Sequence, residues 1–175
     1  MIINMKRAFI HKTYFTVSIL GKAYKLNINY AKRENVKVER LENEVNIILP
    51  NIYKNSNNEE IINMCIQKIY NEVAKREVEN GMEFARYIFG FAPEDYKIKR
   101  INDEYYKYSN KILIINPDIA AFSREIIYTT IIKAFCKVKY REGSKNYEKA
   151  IEKGIREYEI YKNENREANL WRKVG

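Results

Sequence analysis

The stretch from Thr130 to Tyr147, TIIKAFCKVKYREGSKNY, decides how the rest of the chain is read. With successive helical residues about 100° apart, Ile127, Tyr128, Ile131, Phe135 and Val138 gather on one face, while Thr129, Lys133, Lys137 and Tyr140 gather on the other. The spacing predicts a central helix from about Ser123 to Tyr140. Gly143 then interrupts the pattern, and a last helix is expected from about Ser144 to Glu164. On the polar face Glu125, Glu142 and Glu148 stand close enough in sequence to neutralise Lys133 and Lys137, which favours an ordinary solvated side.

Working outward, residues 15–30 alternate as strands do: Phe15, Val17 and Ile19, then Tyr24, Leu26, Ile28 and Tyr30, with Gly21 and Lys22 between the runs. A hairpin is expected there. Val36, Val38 and Val45 to Leu49 continue the sheet, Glu42 and Asn43 turn the chain, and Pro50 ends it. From Asn57 the period changes to that of a helix: Ile61, Ile62, Cys65, Ile66, Ile69 and Val73 mark one stripe, capped by Asn57 or Asn58, with Gly81 near its end. Arg76 to Phe89 either extends that helix or begins another. Tyr96, Ile98 and Ile101 then read as a strand, paired in a hairpin with Ile112 to Ile115 and turning near Tyr108 to Asn110. The fold class is α+β in a single domain over 1–175: N-terminal strands at about 14–50, a helical and strand core at about 57–164, and a tail at 165–175.

Composition limits function less sharply. A chain of 175 residues suffices for one domain with a sizeable core. Met1 to Tyr14 is broken by Lys6, Arg7, His11 and Lys12, and no apolar run is long enough to span a bilayer, so a cytoplasmic protein with no membrane partner is expected. Cys65 and Cys136 sit in apolar helical patterns, where a thiol packs as a small hydrophobe. The 32 Lys and Arg against 23 Asp and Glu give a formal charge of +9, enough to draw a chain toward polyanions. Basic clusters at Lys32 and Arg33, Lys97 to Arg100 and Lys137 to Arg141 are interleaved with tyrosines, yet no established nucleic-acid motif accompanies them.

Chemistry-bearing constellations are sparse. His11 is the sole histidine, so Cys136 has no base nearby in sequence to make it a nucleophile. The six glycines form neither a phosphate-binding loop nor a dinucleotide fingerprint. Tyr158 is expected to pack on the core and Trp171 to anchor the tail. In the zinc-protease signature H-E-x-x-H, two imidazoles four residues apart hold the metal and the glutamate activates its water. Here that frame reads Lys133, Ala134, Phe135, Cys136, Lys137. An ammonium repels a divalent cation and Ala134 can accept no proton.

The frame nevertheless resembles the YgjP-like and SprT-like metallopeptidases, whose helix runs His-Glu-Leu-Cys-His-Leu-Lys before a turn, Asn-His-Ser and an aromatic. Phe135, Cys136, Val138, Lys139, Ser144 and Tyr147 fall in register, with Gly143 where the third histidine would stand; Asn116, ending the strand KILIIN, also fits. The family's Arg-Trp-Gly-Ser-Cys loop has no counterpart in Tyr105 to Ser109, and its frequent tyrosine would fall on Thr129. What the resemblance implies is a zincin-like fold with degenerate metal positions Lys133, Lys137 and Gly143, a degenerate catalytic position Ala134, no cofactor, and a pseudo-peptidase that holds a peptide or protein uncut. The cleft would be lined by Lys133, Lys137, Tyr140 and Ser144, and the peptide would lie along an edge at Ile112, Leu113, Ile114 and Ile115. The alternative is a basic nucleic-acid-binding module, a partner class also associated with SprT-like proteins. A hydrolase with an unrecognised metal site is the third reading.

Overall fold

Helix α1, Glu59–Phe89, is the spine on which two small sheets and two further helices are assembled. The computed structural model describes residues 16–174, with side chains as far as residue 164. Tyr14, Phe15 and His11, and the side chain of Trp171, lie outside the described residues.

The first sheet comprises β1 (Thr16–Ile19), β2 (Lys22–Ala31), β3 (Lys37–Arg40) and β4 (Glu44–Pro50), in the order β1-β2-β4-β3. The β1–β2 hairpin closes through Leu20 and Gly21, both at positive φ, 53° and 77°. Such a two-residue turn matches the twist of the strands it joins. A left-handed leucine is unfavourable, and Leu20 is held there by packing against the cores beneath both sheets and by donating its N–H to Ala120. β4 runs parallel to β2 and antiparallel to β3. Val17, Ile19, Leu26, Val45, Ile47 and Leu49 face inward onto Ile66, Ile69, Tyr70 and Val73 of α1.

The second sheet, β5 (Asp95–Ile98), β6 (Tyr106–Ser109) and β7 (Ile112–Ile115), has the order β5-β7-β6. It corrects the hairpin expected between the segment at Tyr96 and that at Ile112. β5 is parallel to β7, and it is β6 that turns back onto β7 through Asn110 and Lys111, whose φ values are 51° and 63°. Consequently Ile112, Leu113, Ile114 and Ile115 do not form a free edge. They are the middle strand, with a neighbour bonded on each side, and the outer strands are β5 and β6.

The two sheets repeat one plan. In β2-β4-β3 and in β5-β7-β6 the last strand in sequence takes the centre, parallel to the first and antiparallel to the second. Each central strand then leads through a proline, Pro50 or Pro117, and a 3-10 turn, Asn51–Tyr53 or Pro117–Ala121, into a helix. The helices share Glu60/Glu125, Ile61/Ile126, Ile62/Ile127, Ile66/Ile131 and Lys68/Lys133 at identical spacing.

Helix α1 is continuous through Gly81 and ends at Gly90, φ 67°. At its start Asn57 Oδ1 accepts the Glu59 N–H, whereas Asn58 turns inward and donates to Tyr30 and to the Tyr53 carbonyl. Helix α2 is shorter than the periodicity predicts, Arg124–Cys136, and is capped by Ser123 Oγ. Helix α3, Lys145–Val174, is longer, taking in most of the tail.

Gly81 is internal because two helices approach closely there: a Cβ would collide with Cδ1 of Ile131. On the opposite flank of α2, a Cβ on Gly154 of α3 would lie 2.7 Å from Ile132 Cγ2 and 2.9 Å from Phe89 Cζ. Helix α2 is thus wedged between two glycine notches. At the junction of the cores, the buried carboxylate of Glu77 receives Arg124 Nε and Nη2 at 2.9 and 3.1 Å, and Arg76 Nη2 at 2.9 Å. Burial opposes its charge, but the bonds from Arg124 and Arg76 outweigh this and hold the carboxyl below its usual pKa.

Three tests follow from this packing. Gly81→Ala gains about 1 kcal/mol of helix propensity but overpacks a core at about 1–3 kcal/mol. Ile131→Val removes the colliding methyl, so in urea unfolding the double variant should be more stable than the two single costs predict. Gly154→Ala should cost more than Gly81→Ala, because a Cγ2 methyl cannot swing away without moving the helix. Glu77→Gln should cost about 1–3 kcal/mol at neutral pH. A carboxyl with a lowered folded-state pKa contributes fully above its unfolded value, about 4.3, and loses that contribution as pH falls through the folded value. The stability gap between wild type and Glu77→Gln should therefore narrow on acidification from about pH 6 to about pH 3.

Candidate functional site

Lys133, Ala134, Lys137 and Gly143, the positions set against a metal-binding frame in the sequence, fall on the last turn of α2 and the link to α3. Helix α2 ends at Cys136, and the chain tightens: Lys137 N–H bonds to Ala134, Val138 N–H to Phe135, and Lys139 N–H to Cys136. These i to i−3 bonds turn the backbone further per residue than an α-helix does. Tyr140 is thereby carried off the face shared by Lys133 and Lys137. Gly143, φ 74°, makes the link, and Ser144 caps α3, its Oγ accepting the Tyr147 N–H at 3.2 Å.

The positions separate accordingly. Ala134 is 0% exposed and packs with Leu113, Ile115 and Phe135, so this position belongs to the core. Lys133 is exposed, and its carbonyl accepts the Tyr147 hydroxyl at 3.2 Å. Lys137 is directed toward β6: its Nζ lies 4.8 Å from the centre of the Tyr106 ring and 2.8 Å from Glu142 Oε2. Burial works against that charge, but the Glu142 hydrogen bond, the Tyr106 hydroxyl and Glu104 outweigh it and raise the ammonium's pKa. Burial, with Tyr106 adding to it, likewise pushes the phenol of Tyr147 well up. Tyr140 faces away, against Phe91 and Lys139.

Of the four residues expected to line one cleft, the structure assigns Lys137 to the β6 side, Tyr140 to the opposite side, Ser144 to a cap and Lys133 to solvent. Glu142 partners Lys137 as its nearness in sequence predicts; Glu125 instead pairs with Lys162. Sequence reasoning missed Tyr106 and Tyr147 as companions of Lys137. The only signal for Tyr147 was its place in the family frame. The signal for Tyr106 was its alternation with Tyr108, hidden by the turn expected near Tyr108 to Asn110.

Asn116, the strand-ending residue of that frame, is buried. It donates to the Ile101 and Glu104 carbonyls at 2.9 and 3.0 Å and accepts the Asp118 N–H at 3.1 Å. Its work is to pin the loop before β6 against the turn leading to α2. Among the described residues, no three His, Cys, Asp or Glu side chains gather as a metal site. No described helix is long and apolar enough to cross a membrane.

Cys136 is fully buried beside Tyr128, Ile132, Tyr147 and Tyr158, and burial pushes its thiol up to about 11. Cys65 is buried too, and its thiol is also raised by burial. A thiol that is neither accessible nor ionised is a poor nucleophile. The native protein at about pH 8 should therefore react with Ellman's reagent only slowly at both cysteines, and promptly once urea unfolds it. Rapid reaction in the native state that Cys136→Ala abolishes would restore Cys136 as a candidate. No protein-family model, curated protein or solved structure matches the chain.

Proposed function

We propose that the chain is a non-catalytic, metallopeptidase-like domain of zincin-like fold that holds an extended peptide without cutting it. The observation that carries the reading is the ammonium of Lys137, fixed by Tyr106 and Glu142 beside the outer strand β6. A lysine at a degenerate ligand position provides a fixed positive charge with no metal, and Ala134 beside it removes the base. The edge is β6, Tyr106–Ser109, in place of Ile112 to Ile115, because an added strand needs unpaired backbone groups. Lys107 and Ser109 on that strand are exposed, while Tyr106 and Tyr108 are half-buried. A peptide added there would present alternate side chains to Lys137, whose chemistry selects a carboxylate exchanging with Glu142.

The test is a display selection of random extended peptides on the intact protein, followed by amide hydrogen exchange. Acidic, strand-forming sequences should be enriched, should slow exchange in β6, and should bind about tenfold more weakly to Lys137→Ala. Failure to enrich any sequence, enrichment indifferent to Lys137→Ala, or cleavage of peptides that a chelator abolishes would each refute the reading.

A further inference from the structure

On the far side of the α2–α3 link lies an open notch of about 450 Å³ lined by Phe89, Tyr140, Asn146, Lys149, Ala150 and Lys153. That volume lies within the range of small-ligand pockets, about 300–1,000 Å³. We infer that this notch binds single-stranded nucleic acid, stacking a base on its aromatic wall and pairing flanking phosphates with its lysines. The inference is independent of the peptide reading, since none of these residues belongs to the Lys137 and β6 site.

The charges are the first support. Five described lysines, Lys25, Lys37, Lys111, Lys137 and Lys162, each pair with a glutamate. Lys139, Lys149 and Lys153 have no carboxylate partner among the described residues. Lys153 Nζ donates to the Ile88 carbonyl at 3.3 Å, and Lys139 Nζ stands 5.3 Å from the Phe91 ring centre and 6.0 Å from that of Tyr140. On α3, Asn146, Lys149, Ala150 and Lys153 share one face by their spacing, whereas Glu148 and Glu152 are about 100° around the helix from the lysines that follow them. Lys149 and Lys153 are one turn apart, about 6 Å along the axis, on the scale of one nucleotide step in an extended strand.

The wall is the second support. Phe89 and Tyr140, which line the notch, are backed by Phe91 and the buried Phe135: Phe135 stacks with Phe89 and Phe91, which are tilted to each other, ring centres 5.4–6.0 Å apart, and Tyr140 meets Phe91 edge-on at 6.0 Å. A wall already locked by packing loses little entropy when a base is laid on it. On the α3 side the notch is bordered by the small side chain of Ala150 between Asn146, Lys149 and Lys153. A bare anion would use the ammonium groups and leave the rings idle. A nucleotide unit of a strand uses both, which is how sequence-tolerant single-strand binders work.

The test is fluorescence anisotropy of labelled dT12 and U12 with the full chain at about 50 and about 200 mM NaCl; the two probes report whether DNA or RNA is preferred. Both or one should bind, more weakly at the higher salt. Lys149→Glu with Lys153→Glu should weaken binding at least about tenfold and lessen the slope of log K against log salt by about 1.4, at about 0.7 per phosphate contact. Tyr140→Ala should weaken it about tenfold with the slope unchanged. The control, Lys97→Glu with Lys99→Glu on and beside β5, makes the same change of charge away from the notch and should stay within about threefold of wild type. Absence of binding at low salt, an equal loss in the control, or full binding by Tyr140→Ala would overturn the assignment. Thermal melts of each variant separate a lost contact from a lost fold.

Discussion

Two adjacent isoleucines hold the helical layer together. Ile131 of α2 fits against Gly81 of α1, and Ile132 fits against Gly154 of α3. Because neighbouring residues on a helix point about 100° apart, one short helix grips a partner on each flank. A side chain at either glycine would push its helix outward. With α3 displaced, Tyr147 would lose the Lys133 carbonyl, and the link bearing Glu142 and Gly143 could not fold back toward β6. The position of Lys137 over Tyr106 is thus a consequence of core packing two turns away.

The polar counterpart is Glu77, which lies between the α1 residues facing the first sheet and those facing the second. Its two arginines come from different places, Arg76 from the same helix and Arg124 from the first turn of α2. A buried carboxylate that left Arg124 unpaired would keep its desolvation cost and lose much of what offsets it. The pair therefore specifies which end of α2 meets the middle of α1. The hairpin tip at Leu20 and Gly21 adds a third point, donating to Ala120 and Ala121 just ahead of that turn.

Local patterning carried the sequence reading where contacts are local. Alternation located β1, β2 and β4, and the 3.6-residue stripe located α1 from Ile61 onward. It failed where the answer lay with a distant partner. Gly81 reads as a stop because glycine is unfavourable in an isolated helix, and only the approach of Ile131 explains it. Whether Tyr96 pairs with Ile112 in a hairpin or parallel to it cannot be told from alternation, which is the same in both. Tyr106 and Tyr108 alternate as a strand, but the turn expected near Tyr108 to Asn110 left them in the connection of a hairpin. At the candidate site, Glu142 was legible as a counter-ion because it is five residues from Lys137. Tyr106, brought by another sheet, was not.

Helix α1 passes under both sheets, with Ile66 to Ala74 in one apolar cluster and Val78 to Ala85 in the next. A rod shared in this way denies each half a private existence. Fraying that begins at either β layer has to break the same run of backbone bonds that supports the other, so the two copies of the strand plan melt as one cooperative body despite their kinship in topology.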